Sequence, residues 1–195
     1  MILKQNYKKF NLIKILFIIF TVVVISVSAV WGVNAIERRF FYPVKYFDEI
    51  KVCADKFSLD KALVLAIINV ESSFKKDAIS NKNAKGLMQL TDSTAKFVSL
   101  MLGVKSYDIF DETTNILFGT RYLRYLIDRF GDEDLAIIAY NAGEGNLAKW
   151  LNKYKNLDKI QFVNSIPYGE TRDYFVKIKK TRKKYKKLYP QIVDK

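Results

Sequence analysis

The fold is decided by one apolar stretch, which covers residues 60–74 and reads DKALVLAIINVESSF. Its middle part is apolar at almost every position, so a helix formed there would have no polar face. This pattern is typical of a helix that is buried on most sides. Glu71 stands at the end of the helix, and glutamate is rarely buried without a partner or a function. The sequence therefore predicts a central helix, capped at its start by Ser58 or Asp60, that carries a carboxyl group at its end.

The composition limits the available chemistry. The chain has 195 residues, half of them hydrophobic, and it contains no His and one Cys. The missing His excludes Ser-His-Asp and Cys-His catalysis, His-ligated zinc and the usual proton shuttle near neutral pH. Proton transfer must then use Glu, Asp, Lys or Tyr. The single thiol, Cys53, is interpreted as a small buried side chain, and neither a metal nor a cofactor is predicted.

An uncharged apolar segment covers residues 15–36 and is long enough to cross a hydrocarbon core of ~30 Å as a helix. Residues 1–14 contain four Lys and no acid. The positive-inside tendency therefore predicts a cytoplasmic N-terminus, a signal-anchor helix, a linker at residues 37–45 and a domain outside the cell membrane. The alternative is a cleavable signal peptide with its cleavage site near Ala35. In both cases the domain is exported.

The rest of the chain has the periodicity of amphipathic helices and shows neither alternating strands nor internal repeats. It therefore predicts a compact all-α domain at residues 46–176, followed by a basic helical extension at residues 177–195. A polar loop is predicted at residues 75–85. Helices are predicted at residues 44–57, from Asp92 or Ser93 to Leu102, and at residues 114–130, 132–140, 146–151 and 170–188.

Several short motifs follow one another along this domain. They are Glu71-Ser72-Ser73-Phe74, Ser80, Gly86-Leu87-Met88-Gln89-Leu90, Thr94-Ala95, Ala139-Tyr140-Asn141-Ala142-Gly143 and Ile166-Pro167-Tyr168-Gly169-Glu170-Thr171-Arg172-Asp173-Tyr174. In order and spacing they resemble the catalytic domain of the soluble-type lytic transglycosylases, over roughly residues 47–174. Motifs that occur together in order are far more specific than any one of them. The resemblance implies a lysozyme-like α-helical fold, similar to goose-type lysozyme, and a lyase that acts on bacterial peptidoglycan.

Glu71 has the chemistry that cleavage of a glycosidic bond requires. An apolar pocket raises the pKa of a Glu toward neutrality, where its acid form can protonate a poor leaving oxygen. Most glycosidases use a second carboxylate, but the nearest acids, Asp77 and Asp92, lie outside the matching motifs. The resemblance implies that Glu71 first protonates the bond after N-acetylmuramic acid and then accepts the proton of that sugar's own 6-hydroxyl group. The product is a 1,6-anhydro end, and no water is consumed.

The resemblance also assigns substrate contacts, although some assignments have structural alternatives. Met88 is equally compatible with a core position, and Glu170 with a favourable charge at a helix start. The family commonly has Met-Pro where this chain has Thr91-Asp92, so a subsite of different shape is expected there. The implied substrate-binding residues are Ser80, Gly86, Met88, Gln89, Tyr140, Asn141, Tyr168, Glu170 and Tyr174.

Other functions remain open at this point. An N-acetylmuramidase would have the same fold and would differ only in admitting water, and a non-catalytic glycan-binding scaffold would not need a desolvated acid. The expected partners are peptidoglycan strands and the membrane, and the chain is expected to be a monomer. The basic residues after 176 would face anionic lipid, wall polymer or solvent. A nucleic-acid partner is not expected, because the domain is exported.

Overall fold

The structure is a computed structural model that describes residues 2–193, with side chains described for residues 14–192. The chain divides into two compact units between Pro43 and Val44. The first unit consists of helix α1 (Ile2–Ile36) and a π-helical segment (Glu37–Phe41). Helix α1 is the helix in the described part of the chain that is long and apolar enough to cross a membrane. Its apolar side chains are exposed. The predicted apolar helix is confirmed.

The second unit is all-α, as predicted, and no strand occurs among its described residues apart from two isolated bridges in one loop. Helices α8 and α10 were not predicted. The predicted helices are all present, with shifts of a few residues at their ends. The helices of this unit are α2 (Phe47–Lys56), α3 (Lys61–Ser72), α4 (Asp92–Leu102), α5 (Glu112–Phe130), α6 (Glu133–Ala142), α7 (Glu144–Lys153), α8 (Lys159–Ser165), α9 (Gly169–Leu188) and α10 (Pro190–Val193).

Helix α3 lies at the centre of the domain. Every side chain from Ala62 to Ile68 is fully buried, and burial of each large aliphatic side chain contributes about 1.5–3 kcal/mol. The cap is Asp60 rather than Ser58, since its carboxylate accepts a 2.7 Å hydrogen bond from the Ala62 amide. The helix ends at Ser72, and the residue after it, Ser73, has a left-handed backbone conformation. Glu71 therefore stands in the last turn of a buried helix, as predicted.

Helix α9 packs against α3 along a continuous buried stripe. The predicted start of a separate basic extension, at residue 177, falls inside this helix, and the stripe continues past it. Arg182 lies beside the stripe and forms ion pairs with Asp60 and Glu133, so part of the positive charge joins α9 to the starts of α3 and α6. The buried residues of α9 are Thr171, Tyr174, Ile178, Thr181, Tyr185 and Leu188.

The lone thiol of the chain is part of this core. Cys53 is buried in α2, as predicted. Burial is the largest influence on the Cys53 thiol and raises its pKa, which disfavours the reactive thiolate.

Candidate active site

A cleft of about 500 Å³ opens beside the end of α3. One wall is the loop at residues 73–91, which joins α3 to α4, and the opposite side is built from the end of α6 and the start of α9. The cleft brings together residues that are up to about half the chain apart in sequence. Its lining consists of Glu71, Ser80, Asn81, Lys82, Ala84, Gln89, Thr91, Tyr140, Asn141 and Glu170.

The Glu71 carboxyl group is surrounded by protein on most sides and keeps partial exposure at the cleft. Burial, the largest influence, raises the pKa of Glu71 from its ordinary value of 4.5 to about 7. Two weaker influences lower the pKa: the Tyr174 hydroxyl donates a 2.7 Å hydrogen bond to Oε1, and the positive charge of Lys177 lies nearby. A carboxyl group with this pKa can both release and accept a proton near neutral pH.

Two tyrosines, the buried Tyr174 and the partly buried Tyr140, flank the carboxyl group. Tyr174 bonds to Glu71, and the Tyr140 hydroxyl donates a 2.8 Å hydrogen bond to the Met88 carbonyl. Burial, and then the charge of Glu71, raise the pKa of each tyrosine well above its ordinary range. Both hydroxyl groups therefore stay protonated and act as donors at neutral pH.

The loop wall is held by Asn115, a buried residue of α5 that the sequence did not identify as part of the site. Its Oδ1 accepts a 2.8 Å hydrogen bond from the Met88 amide, and its Nδ2 donates to the carbonyls of Lys85 (3.1 Å) and Ile109 (2.8 Å). All three partners are backbone groups, which are costly to leave unpaired when buried. A polar side chain on the apolar face of a predicted helix was the signal available in the sequence.

Two residues give this loop its unusual path. Gly86 has a φ of +78°, and a Cβ atom there would lie 2.1 Å from Nδ2 of Asn115, so only glycine fits. Gln89 is also left-handed, with a φ of 48°. Its Nε2 donates to the carbonyls of Ala78 (3.1 Å) and Gly86 (2.9 Å). The Gln89 amide nitrogen thus supports the loop, and its amide oxygen is the group available to a ligand.

Polar contacts also define the rim of the cleft. Ser80 Oγ accepts hydrogen bonds from the Ala84 amide at 3.0 Å and the Lys82 amide at 3.3 Å, which leaves its hydroxyl proton for a ligand. Lys82 Nζ lies 3.2 Å from Oε2 of Glu170, and this exposed ion pair joins the loop to the start of α9. Lys82 was not predicted as a site residue, because it stands between the matching motifs.

The remaining predicted residues occupy three kinds of position. Asn141 lines the cleft, and its Oδ1 accepts a 2.9 Å hydrogen bond from Thr171, which directs its amide nitrogen away from that contact. Met88 is fully buried, with its side chain beside Gly119, so it contributes its carbonyl to the site rather than a surface. Tyr168 is half exposed, packs edge-on against Trp150 and is not among the residues that line the cleft.

The structure thus brings Ser80, Gln89, Tyr140, Asn141 and Glu170 around Glu71, and places Tyr174 in contact with it. The position where the family has Met is occupied by Thr91, which lines the cleft and caps α4 by accepting from the Thr94 amide. Among the residues that the structure describes, no group of three or more Cys, Asp or Glu side chains is arranged to hold a metal ion.

This all-α domain, with Glu71 at the edge of a polar cleft, has a lysozyme-like fold. Residues 48–163 match the family described as "Transglycosylase SLT domain", and the chain belongs to this family. The predicted family and fold class are thereby confirmed.

Relatives and solved structures support this membership. The chain is 35% identical over 145 residues to the soluble lytic murein transglycosylase of Escherichia coli, covering 71% of this chain and 22% of that protein. It is 31% identical over 195 residues to membrane-bound lytic murein transglycosylase C of Yersinia enterocolitica, covering 83% of this chain and 53% of that protein. The chain therefore spans about a fifth to a half of the length of these relatives.

The solved structures agree with the fold. The 70 kDa soluble lytic transglycosylase of Escherichia coli superposes with a TM-score of 0.72 at 31% identity, covering 80% of this chain and 26% of that one. An inactive mutant of the lytic transglycosylase Slt from Pseudomonas aeruginosa gives a TM-score of 0.70 at 31% identity, covering 78% of this chain and 26% of that one.

Proposed function

We propose that this chain is a membrane-anchored lytic transglycosylase that cleaves the β-1,4 bond between N-acetylmuramic acid and N-acetylglucosamine in peptidoglycan. The observation that carries the proposal is the Glu71 carboxyl group, whose pKa is raised to about 7 by burial at the edge of a polar cleft. Pure glycan binding has no need of such a group. The relatives named above are murein transglycosylases, which supports the same substrate.

In the first step, protonated Glu71 donates its proton to the glycosidic oxygen. The bond between this oxygen and C1 of N-acetylmuramic acid breaks, and positive charge develops at C1. Tyr174 holds one carboxyl oxygen of Glu71, Oε1, by its hydrogen bond. The other oxygen, Oε2, is then the one that faces the bond to be broken.

In the second step, the Glu71 carboxylate accepts the proton of the 6-hydroxyl group of the same sugar. The oxygen of this hydroxyl group forms a bond to C1, and a 1,6-anhydro ring results. Glu71 is protonated again, so the residue returns to its starting state and no water is consumed. A pKa of about 7 suits both steps, because neither the acid nor the base form is strongly disfavoured at neutral pH.

The environment of Glu170, the second acid of the cleft lining, favours a mechanism in which Glu71 is the one catalytic carboxyl group. Of the described residues that line the cleft, Glu71 and Glu170 are acidic. Glu170 is exposed at the rim and forms an ion pair with Lys82, so it has no desolvated carboxyl group. We assign Glu170, together with Ser80, Gln89, Tyr140 and Asn141, to substrate binding.

The membrane topology is part of the proposal. Helix α1 is long and apolar enough to span a bilayer, and the basic residues at its N-terminal side favour a cytoplasmic N-terminus. The catalytic domain then lies outside the membrane, where peptidoglycan is found. The exposed lysines of α9 would meet anionic lipid or wall polymer there, and the protein acts as a monomer.

Mass spectrometry of reaction products tests the proposed function. Full-length protein in detergent is incubated with purified glycan strands, and the expected products carry ends lighter by one water than hydrolytic ends. Glu71→Gln is expected to abolish cleavage, whereas Asp48→Asn, at an exposed acid of α2, is expected to retain it. Reducing ends alone would identify an N-acetylmuramidase, and binding without any cleavage would identify a glycan-binding scaffold.

A further inference from the structure

An open cavity of about 580 Å³ lies between the end of α2 and one side of α5. None of its lining residues lines the catalytic cleft. Three of them come just before the start of α3, whereas Glu71 stands in the last turn of that helix. The cavity and the catalytic acid therefore lie at opposite ends of a helix that is about 18 Å long. The cavity is lined by Lys56, Phe57, Ser58, Arg121, Arg124 and Asp128.

The lining of this cavity is basic. Of the described residues that line it, three are cationic and one, Asp128, is acidic, so the formal net charge is +2. Arg121, Arg124 and Asp128 are three and four positions apart, which places them on one face of α5. Like charges at such a spacing repel each other. The fold thus gathers cations against their mutual repulsion, and a bound anion would relieve it.

The Arg124 guanidinium group is incompletely paired. Its Nη2 atom forms an ion pair with Oδ1 of Asp128. Its Nε atom is buried, and no atom in the described part of the chain forms a hydrogen bond with it. A buried donor without an acceptor is unfavourable. Neither contact with solvent nor the ion pair with Asp128 accounts for this donor.

The other two cations have no acid partner. Among the described residues, neither Lys56 nor Arg121 forms an ion pair, and both lie over the ring of Phe57. The distance to the ring centroid is 5.6 Å for Lys56 Nζ and 6.0 Å for Arg121 Cζ. A cation is attracted to an aromatic face, but the ring carries no charge that would neutralise it. Phe57 therefore holds both cations at the cavity and leaves their charges available to a ligand.

We propose that this cavity binds the phosphate group of an anionic ligand. Arginine pairs with phosphate oxygens through its planar fork of donors, and lysine adds a point charge. A phosphomonoester carries a charge of about −1.5 to −2 near neutral pH, which balances the lining better than the single charge of a carboxylate. The Ser58 hydroxyl offers a further donor, and a small turn of the Arg124 side chain toward the anion gives Nε its acceptor.

The size and position of the cavity agree with this ligand. Its volume lies within the ~300–1,000 Å³ of ordinary ligand sites. Because the cavity is open, the phosphate group can be attached to a larger molecule. Two sources share this chemistry, namely the headgroup of a membrane lipid and a soluble or polymer-bound phosphate. The inference does not depend on the proposed lytic activity, since the cavity is separate from the cleft.

Phosphorus NMR of inorganic phosphate, added to full-length protein in a phosphate-free detergent, tests the inference. In chloride buffer of constant ionic strength, the phosphate line is expected to broaden in a saturable way. Arg121→Gln and Lys56→Gln should each weaken the affinity about tenfold, because a charge-assisted hydrogen bond is lost. Lys183→Gln is the matched control, since it removes one exposed positive charge from α9, and it is expected to change nothing.

Competition with bound phosphate identifies the source of the ligand. A short-chain phosphatidic acid and glycerol 3-phosphate carry the same phosphomonoester with and without acyl chains. Displacement of phosphate by the lipid at clearly lower concentration assigns the site to a membrane lipid. Displacement by both compounds at equal concentration assigns it to a soluble or polymer-bound phosphate. Either preference should disappear in the Arg121→Gln variant.

Four results would overturn the inference. They are an absence of saturable broadening, an unchanged affinity in both cavity variants, an equal loss of affinity in Lys183→Gln, and displacement of phosphate by acetate as effectively as by glycerol 3-phosphate. The third would attribute binding to net charge, and the fourth to a carboxylate. Both cavity variants should keep the unfolding midpoint and the cleavage of glycan strands, which distinguishes a loss of phosphate binding from a loss of the fold or of the proposed function.

Discussion

The hydroxyl group of Tyr174 lies 2.7 Å from Oε1 of Glu71 and donates a hydrogen bond to it. This contact joins α9 to the last turn of α3 across the core of the domain. It favours the ionised carboxylate and so opposes burial, which favours the protonated acid. Burial is the stronger influence, and the hydrogen bond keeps the pKa of Glu71 from rising further.

The variant Tyr174→Phe removes this hydrogen bond and retains the ring. Because the bond stabilises the ionised form, its loss is expected to raise the pKa of Glu71 above about 7. The acid form then persists to higher pH, and the alkaline limb of the pH profile of kcat/KM shifts to higher pH. Tyr125→Phe should leave the profile in place. A Tyr174→Phe profile identical to that of the unmodified chain would show that this hydroxyl does not tune the acid.

The raised pKa of Glu71 also has a consequence for stability. Between pH 4.5 and about 7 the folded protein binds a proton at Glu71 that the unfolded chain releases, so stability decreases as the pH rises through this window. Glu71→Gln has no charge to bury. The variant is expected to be more stable than the unmodified chain above pH 7, by on the order of 3 kcal/mol, and about equally stable at pH 4.5. Unfolding midpoints at both pH values measure this difference, and a difference independent of pH would contradict it.

Two glycines of similar backbone conformation allow a matched comparison. Gly86→Ala places a Cβ atom against Asn115, whereas a Cβ atom at Gly103 would meet no atom within 4 Å. Both have positive φ, so both substitutions incur backbone strain of about 1–2 kcal/mol. The variant Gly86→Ala should in addition displace the loop at residues 73–91 and raise KM for glycan strands strongly. Gly103→Ala should lower the unfolding midpoint with little change in KM, and equal effects on KM would refute the role given to Asn115.

The ion pairs of Arg182 provide a prediction for the basic helix. Burial opposes ionisation of Asp60, but hydrogen bonds from Lys186 and Arg182 outweigh it and lower its pKa. The variant Arg182→Met should destabilise the domain by about 1–2 kcal/mol, because it removes the ion pairs of the half-buried carboxylates of Asp60 and Glu133, although Asp60 keeps its ion pair with Lys186. Lys183→Met, at an exposed position of the same helix, should change stability by less than about 0.5 kcal/mol.

The pH dependence separates charge from packing in this variant. A carboxylate with a lowered pKa contributes stability above its ordinary pKa, and the contribution is lost as the pH falls through the folded value. The difference between Arg182→Met and the unmodified chain, measured by denaturant unfolding, should therefore shrink in acid. A constant difference would indicate that Arg182 acts through its apolar stem alone.

The helices were predictable because their signals are local. The apolar run of α3 and the stripes of α5 and α9 arise from residues three and four positions apart. Helix α8 was missed, because seven residues carry too short a pattern, although Asp158 and Gln161 form a capping box at its start. A separate extension was predicted to start at residue 177 because positive charge accumulates there. The structure shows one helix across this position, since the buried residues of α9 lie on both sides of it.

The site was predicted in part. The motifs identified Glu71 and five residues that line its cleft, because motif residues keep their order and spacing in the chain. Asn115 was not identified, since its importance lies in contacts with distant segments. Met88 was compatible with both core and cleft, and the structure buries its side chain beside Gly119.

Order along the chain was therefore sufficient to predict most of the helices, the family and the acid at the end of α3. It could not predict that the pKa of this acid is about 7 or that the Tyr174 hydroxyl moderates it. Helical periodicity depends on neighbours within a few residues. Desolvation and hydrogen bonding depend on atoms that packing brings together. The hydroxyl group that bonds to Glu71 belongs to Tyr174, which lies 103 positions further along the chain.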